Sequence, residues 1–429
     1  MSVVARPVGA VLSAALGDRL RDDADARAAA AVDGLTPRWV ARPASVDEVA
    51  RVLALAHEAG LAVTPRGSGS ALELGHPPSR LDLVLDLSGL DRVLEYNPDD
   101  LTVTVQAGVT GAALAARLQA HRQALPLDPP GWSRRTLGGV VATQASGPLR
   151  LRYGAPRDLL LGVRFVQADG VVTWGGAKVV KSVTGYDVPK LLAGSLGTLG
   201  VLAELTLRLH PAPEAEATAV ALFADVARAE AFVAHVLDST VQPARVEYLD
   251  ARALAACAVA EAGAGVAVSV ATVDEAVRAQ HAIVARLATD AGGRVVSPPA
   301  GFWGAYERTQ LEGGPTVLRV ATLVTHVAAA VAGLSGVDAR VTGSVALGLL
   351  RVALPAGSAA LAVGVVERLR ARVAEVDGSV VVERGPREVR EAVDPWGPVT
   401  GGAVELMRAV KAEFDPRAVL NPGRFVGGL

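Results

Sequence analysis

The stretch Thr64-Pro65-Arg66-Gly67-Ser68-Gly69-Ser70 decides how this chain is read. Alternating Gly and Ser let several backbone N–H groups turn to one side. They form a nest for an anion such as a pyrophosphate, without help from a helix dipole. Glycine suits such a loop because a Cβ would bar the φ values it needs and the close approach of a phosphate. Taken alone, the stretch reads equally well as a surface turn.

Its surroundings narrow the choice. Upstream, Ser45 caps a predicted helix over 46–59, with Glu48 as capping-box partner, apolar positions at Val49, Val52, Leu53 and Ala56, and Gly60 as terminator. A short strand over 62–64 then enters the loop. Downstream, Leu83, Leu85 and Leu87 mark one strand face and Leu101, Val103 and Val105 another, with a turn at 97–100 and a helix over 110–119. A second motif follows: Leu127-Asp128-Pro129-Pro130, then Thr136-Leu137-Gly138-Gly139-Val140-Val141-Ala142-Thr143 and Ser146-Gly147. Small residues there let a ligand pass close to the backbone. Residues 136–210 read as strands and Gly-rich turns, closing on a β-like run over 202–209. Within them lies a third motif, Lys178 to Asp187 followed by Gly194-Ser195-Leu196-Gly197-Thr198-Leu199-Gly200. The fourth is Phe414-Asp415-Pro416 with Leu420-Asn421-Pro422-Gly423-Arg424-Phe425.

The run Pro211 to Glu216 is a composition break. It divides the chain into an N-terminal extension (1–35), a first domain of two subdomains (36–210), a second domain (211–395) and a C-terminal segment (396–429) that returns to the first. The second domain alternates helices (227–237, 274–288) with strands (265–271, 316–325), the pattern of an α+β, ferredoxin-like unit. The fold class expected for the whole is therefore α+β.

Composition excludes several function classes. The chain has 429 residues, 51% of them apolar, and a net charge of -2. Balanced charge gives no reason to expect nucleic acid as a partner. No charge-free apolar run is long enough to span a membrane. The short apolar run from Val8 to Gly17 meets Asp18 and Arg19 at once and reads as an amphipathic helix rather than a signal peptide. The single cysteine, Cys257, cannot form an intramolecular disulfide, cannot hold an iron–sulfur cluster alone, and reads as core filler. Lysine occurs only at 178, 181, 190 and 411. Three of the four fall in the third motif, where Lys178 and Lys181 are candidates for stabilising a negative charge.

In order and spacing, the four motifs resemble the flavoprotein family that includes vanillyl-alcohol oxidase and the FAD-linked 2-hydroxy-acid dehydrogenases. The likeness spans about residues 36–210 and 407–429. Lys181 to Gly200 and Asp415 to Phe425 are most similar to the FAD-binding E subunits of bacterial glycolate oxidase. The resemblance implies a PCMH-type FAD-binding domain of two α+β subdomains, with a cap over the flavin. It implies that Arg66, Gly67, Ser68, Gly69 and Ser70 hold the pyrophosphate by backbone N–H groups. Thr136, Gly138, Gly139, Ala142, Thr143, Ser146 and Gly147 would line the pyrophosphate, ribityl and flavin region, with Pro130 and Tyr153 counted among the cofactor contacts. Gly200 is counted with the cofactor contacts, Val201 just after it would meet the adenine or ribose through its backbone, and Asn421 and Arg424 would approach the flavin. The partners implied are a sister FAD-binding catalytic subunit and an iron–sulfur subunit, in the cytoplasm or at the inner membrane face.

The sequence departs from the family in three places. The first loop carries no His for covalent attachment, the nearest being His57 and His76, so non-covalent FAD is expected. The cap histidines His235, His281 and His326 are scattered, so no metal is expected. Leu196 stands where catalytic relatives tend to have Glu. If the chain oxidises a 2-hydroxy acid itself, an Arg would bind the carboxylate; Arg245, Arg319 and Arg351 are candidates, with Tyr248 near the first. No catalytic base is assigned. A non-catalytic assembly subunit that retains the flavoprotein fold and a stand-alone FAD-dependent oxidase of another alcohol or 2-hydroxy acid are the alternatives.

Overall fold

The helix after Ser45 runs Val46–Ala59; Ser45 accepts from the Glu48 N–H, and Gly60 closes the helix at φ 66°. The Glu48 carboxylate reaches one residue beyond a capping box, to the Ala44 N–H at 2.8 Å. Val49, Val52, Leu53 and Ala56 are fully buried, so the 3.6-residue stripe supplies the packing face. The structure, a computed structural model, describes residues 8–177, 185–260 and 263–429. Lys178 and Lys181 lie outside the described residues.

Two sheets build the first domain. One has the order Leu20–Arg21, Trp39–Ala41, Leu83–Asp86, Val63–Arg66, and its last three strands run parallel. The other is antiparallel, in the order Val93–Asn97, Thr102–Gln106, Val201–Arg208, Leu160–Val166, Val172–Gly176. Each has its own apolar core. The segment after helix Ala403–Phe414 extends the first sheet. Val63 N–H donates to Val419 O at 2.7 Å, and Asn421 N–H to Val63 O at 2.9 Å.

One expectation fails in this domain. Residues 136–210 are not only strands and turns: Leu137–Thr143 is an α-helix, and Arg150–Tyr153, Pro156–Leu159 and Val188–Leu192 are short helices. Gly138 and Gly139 have poor helix propensity, and two turns cannot hold themselves up in water. Tertiary bonds fix the segment instead, with Leu137 N–H donating to Val109 O and Gly138 N–H to Ala107 O.

Apart from a two-stranded pairing of Gln123–Ala124 with His210–Pro211, the other eight strands form one antiparallel sheet in the order 294–296, 215–223, 264–272, 245–249, 340–344, 349–354, 316–321, 379–384. The first four in that order and the last four each have the βαββαβ, ferredoxin-like arrangement. Two such units are thus fused edge to edge, with Glu247 opposite Ser344 at the seam. The expected strand over 316–325 ends at Ala321, giving way to a 3-10 turn. The paired helices of both units cover one sheet face. The opposite face turns toward the first domain, partly covered by helices Ala251–Ala256 and Phe302–Leu311. Cys257 is buried in that cover, and burial pushes its thiol up to about 11, as befits a packing residue.

Candidate active site

A narrow groove of 90 Å³ runs between the two sheets of the first domain. Its walls include the loop at 66–70, the start of helix Leu137–Thr143, the turn at 196–200, and Asn421 and Arg424 from the tail. Among the described residues, none of the backbone N–H groups of Gly67, Ser68, Gly69 or Ser70 donates to another protein group. This open row of donors has the chemistry of a pyrophosphate cradle. A Cβ on Gly67 would lie 2.0 Å from Thr136 Oγ1, so the loop and helix approach as closely as glycine allows. The Arg66 guanidinium is engaged by Asp86 at 2.8 Å. Burial opposes ionisation of Asp86, but the hydrogen bonds from Arg66 and Ser88 outweigh it and hold its pKa below the usual range.

The tail is held by a buried ion pair. Lys411 Nζ bonds Asp415 at 2.6 Å, Thr198 O at 2.7 Å and Leu420 O at 3.0 Å, while Asp415 accepts from the Val419 and Leu420 N–H groups. Lysine is needed because its three donors meet three acceptors converging on one point. Asn421 donates to Leu196 O at 2.6 Å, leaving its own Oδ1 buried and unpartnered. Arg424 donates to the carbonyls of Leu72 and Leu74, and its Nε is likewise without a partner. Burial lowers its pKa to about 10. These two unmet groups on the groove wall suit a polar cofactor.

The groove opens into a cavity of 560 Å³ between the two domains. Ser68, Ser70, Pro130, Thr143, Ser146 and Gly147 line it from the first domain. From the cap come Glu247, Arg319, Ser344, Arg351, Glu383 and Arg384. Arg319 and Arg351 are cross-strand partners, and Arg351 is in turn opposite Thr342, two residues before Ser344, which pairs with Glu247. Arg351 pairs with Glu383 at 3.2 Å, and Arg384 is engaged by the Leu311 and Gly314 carbonyls. Glu247 is hydrogen-bonded by the Tyr306 hydroxyl, and burial raises its pKa to about 8. It is therefore protonated at neutral pH.

Sixteen of the expected cofactor residues line the groove or the cavity. Two do not. The Val201 side chain is fully buried in the first-sheet core, behind Gly200. The Tyr153 ring stands edge-on to His210 and beside the Arg152 guanidinium. Of the candidate arginines, Arg319 and Arg351 reach the cavity, while Arg245 is held by Asp128 at 3.1 Å and by Glu216, over the Trp303 ring. Tyr248 is buried on the opposite, helix-covered face. Sequence reasoning missed Arg135, Arg150, Glu247 and Lys411. For Glu247 a signal existed: charged residues alternate with apolar ones in Arg245-Val246-Glu247-Tyr248-Leu249, in a strand deep in the chain. Among the described residues no group of His, Cys, Asp and Glu could hold a metal ion, and no helix is long and apolar enough to cross a membrane.

Comparison with known families agrees with this geometry. The FAD binding domain family matches residues 37–176, and the C-terminal domain of FAD linked oxidases matches residues 212–297 and 394–425. The chain is 34% identical over 214 residues to glycolate oxidase subunit GlcD of Bacillus subtilis (strain 168), covering 50% of this chain and 46% of that protein. It is 35% identical over 224 residues to a probable mitochondrial D-lactate dehydrogenase of Danio rerio, covering 52% and 45%. The chain thus spans about half the length of the relatives it matches. Among solved structures, p-cresol methylhydroxylase with substrate bound superposes with a TM-score of 0.73 at 17% identity, covering 97% of this chain and 96% of that one. That likeness concerns the fold alone: the PCMH-type FAD-binding architecture with its cap.

Proposed function

We propose that this chain, whose residues 37–176 match the FAD binding domain family and whose residues 212–297 and 394–425 match the C-terminal domain of FAD linked oxidases, oxidises 2-hydroxy acids as the FAD-binding subunit of a complex of the glycolate oxidase type. Electrons would leave for a sister flavoprotein and an iron–sulfur subunit. The resemblance of the third and fourth motifs to the E subunits supports this place in the complex. The observation that carries the substrate reading is the Arg319–Arg351 pair on the cavity wall. Two guanidinium forks on adjacent strands offer bidentate hydrogen bonds to a carboxylate.

When bound, FAD supplies the two-electron acceptor for oxidation of an alcohol carbon. The chain does the rest. The backbone N–H groups of 67–70 bind the pyrophosphate, and the groove holds FAD without a covalent bond: neither groove nor cavity wall presents His, Cys or Tyr among the described residues. The arginines fix the acid end of the substrate. Protonated Glu247 serves as a hydrogen-bond donor to a substrate oxygen rather than as a base at neutral pH.

That last point favours a second reading. Glu247 holds its proton and Glu383 is paired, so the described wall offers no free carboxylate base and no histidine. In this reading the chain keeps FAD and the fold, and turnover belongs to the partner. One experiment separates the two. The chain is expressed alone, its flavin spectrum recorded, and glycolate and D-lactate added without oxygen. Bleaching by either acid supports independent oxidation. Bleaching only after the sister subunit is added supports the assembly reading. A chain that retains no flavin under any condition overturns both.

A further inference from the structure

Between the strands Val63–Arg66 and Leu83–Asp86, residues 67–82 run as one long loop of turns and bends. Its first part is the anion nest. Ordering such a loop costs conformational entropy, so its shape is only as firm as the contacts that hold it. Its own bonds are slight: Leu74 N–H donates to Ala71 O at 3.2 Å, and Ser68 Oγ to Ser70 Oγ at 3.3 Å. The firmer grip comes from outside. From the tail, Arg424 donates to the Leu72 and Leu74 carbonyls, and its own carbonyl accepts from the His76 N–H at 3.1 Å. From the cap, Arg390 donates from Nη1 to Gly75 O at 3.2 Å.

Arg390 is itself held rigidly. It is 1% exposed and sits on helix Arg387–Ala392, whose Val389 belongs to the cap core. Its Nε donates to Gly385 O at 2.8 Å. Its two Nη groups clasp the Asp33 carboxylate as a fork, Nη1 at 3.1 Å from Oδ2 and Nη2 against Oδ1. Asp33 stands in a tight turn. Val32 and Leu35 exchange both backbone hydrogen bonds, and Asp33 and Gly34 take φ of 51° and 80°, as Asp-Gly does in such turns. Arg387 adds a donor to Asp33 O at 2.9 Å. The N-terminal segment thus presents a fixed acid, the cap supplies the arginine, and the arginine carries the hold on to the loop. Apolar contact seals the same junction: Leu74 packs with Leu196 of the groove wall and Val381 of the cap, beside Trp396 and Phe425. A Cβ at Gly75 would lie 2.4 Å from Arg424 O and 2.8 Å from the Trp396 ring, so the loop has no slack where Arg390 takes hold.

We propose that Arg390 is a positioning residue for FAD. Seated in the Asp33 carboxylate, it fixes the loop at Gly75 and thereby the nest that precedes it. Arg390 lies outside the groove wall, and its role does not depend on which substrate the cavity takes. Displacing the cap releases Gly75 and loosens the nest, so cap docking and FAD retention are coupled. The coupling is reciprocal: bound FAD tightens the cap by the factor that the docked cap tightens FAD.

The test is titration of the flavin-free full chain with FAD, read by flavin fluorescence, together with amide hydrogen exchange. Arg390→Gln should weaken FAD about tenfold, since a hydrogen bond to a charged group is worth roughly that factor or more. It should also speed exchange across 67–76. Val236→Ala is the control for destabilisation alone, because Val236 is fully buried in the cap core on helix Val226–Leu237. Its FAD affinity should stay within about twofold of the native chain, as independent sites allow. Arg390→Lys keeps a cation against Asp33 but loses the planar fork. It should recover melting temperature more fully than FAD affinity, a split that a merely structural role does not produce. In the native chain, saturating FAD should slow exchange in helix Arg387–Ala392. Unchanged FAD affinity in a folded Arg390→Gln overturns the proposal. So does a loss no larger than that of Val236→Ala at the same fall in melting temperature, or exchange in helix Arg387–Ala392 that ignores FAD. If Arg390→Gln does not fold, Arg390→Lys decides: affinity that lags behind melting temperature supports the proposal, and affinity that recovers in step with it overturns it.

Discussion

The groove and the cavity that opens from it are made of different material. The groove wall is backbone: free N–H groups at 67–70, a glycine pressed against Thr136, and a tail strand pinned by Lys411 and Asp415. The cavity's cap wall is side chain: arginines and a protonated glutamate standing on one sheet face. A cofactor common to a whole family can be held by main chain, which changes little with sequence. A substrate that distinguishes one member from another is met by side chains, which can be exchanged without touching the fold. Variants on the two walls should therefore behave differently.

The largest effect is expected at the tail. Asp415→Ala leaves the Lys411 ammonium buried without a counter-charge, and removing one member of a buried pair costs about 3–5 kcal/mol. Denaturant unfolding should show that loss, together with poor FAD retention. A loss below about 1 kcal/mol, the range of exposed pairs, would mean that the groove does not depend on the clamp. Next comes Glu247. The folded chain keeps its proton to about 8 against an ordinary 4.5, so between those values unfolding releases a proton. Stability is full below 4.5 and falls as pH rises toward 8, by on the order of 4 kcal/mol. Melting temperatures across that window should slope downward for the native chain and flatten for Glu247→Gln; parallel curves would show the carboxyl to be ionised.

Gly67→Ala is the test of the backbone wall. Its Cβ must displace Thr136, an overpacking cost of about 1–3 kcal/mol, and the ratio of flavin to protein absorbance after purification should fall sharply. Arg319→Ala is the opposite case. It removes a cation that has no protein partner, so stability should stay within about 0.5 kcal/mol and the flavin ratio should not change. If Arg319→Ala lost flavin as Gly67→Ala does, the division between the two walls would disappear.

The same division explains what was legible in the sequence. Gly67, Gly69, Gly138 and Gly147 announce themselves because backbone geometry needs a particular residue at a particular place, and such needs leave motifs. Helix Leu137–Thr143 escaped because its glycines hide it and its support comes from Ala107 and Val109, far along the chain. Arg135 and Arg150 were passed over because an arginine reads alike in a salt bridge, on a surface or facing a cavity. On the cap wall, only strand register and the fusion of two ferredoxin-like units bring Arg319 and Arg351 to one face with Glu247.

The tail pairing with Val63 has a consequence for how the protein is made. The strand Val63–Arg66 is synthesised early, but its edge partners, Val419 to Asn421, follow the entire cap in chain order. A growing chain can therefore form the anion nest long before it can close the groove. Until then Val63 presents an unpaired edge, the kind of surface that invites pairing with another chain. Capture of FAD is on this view a late step of biosynthesis, and the exposed interval is when a nascent copy most needs protection from its neighbours on the same messenger.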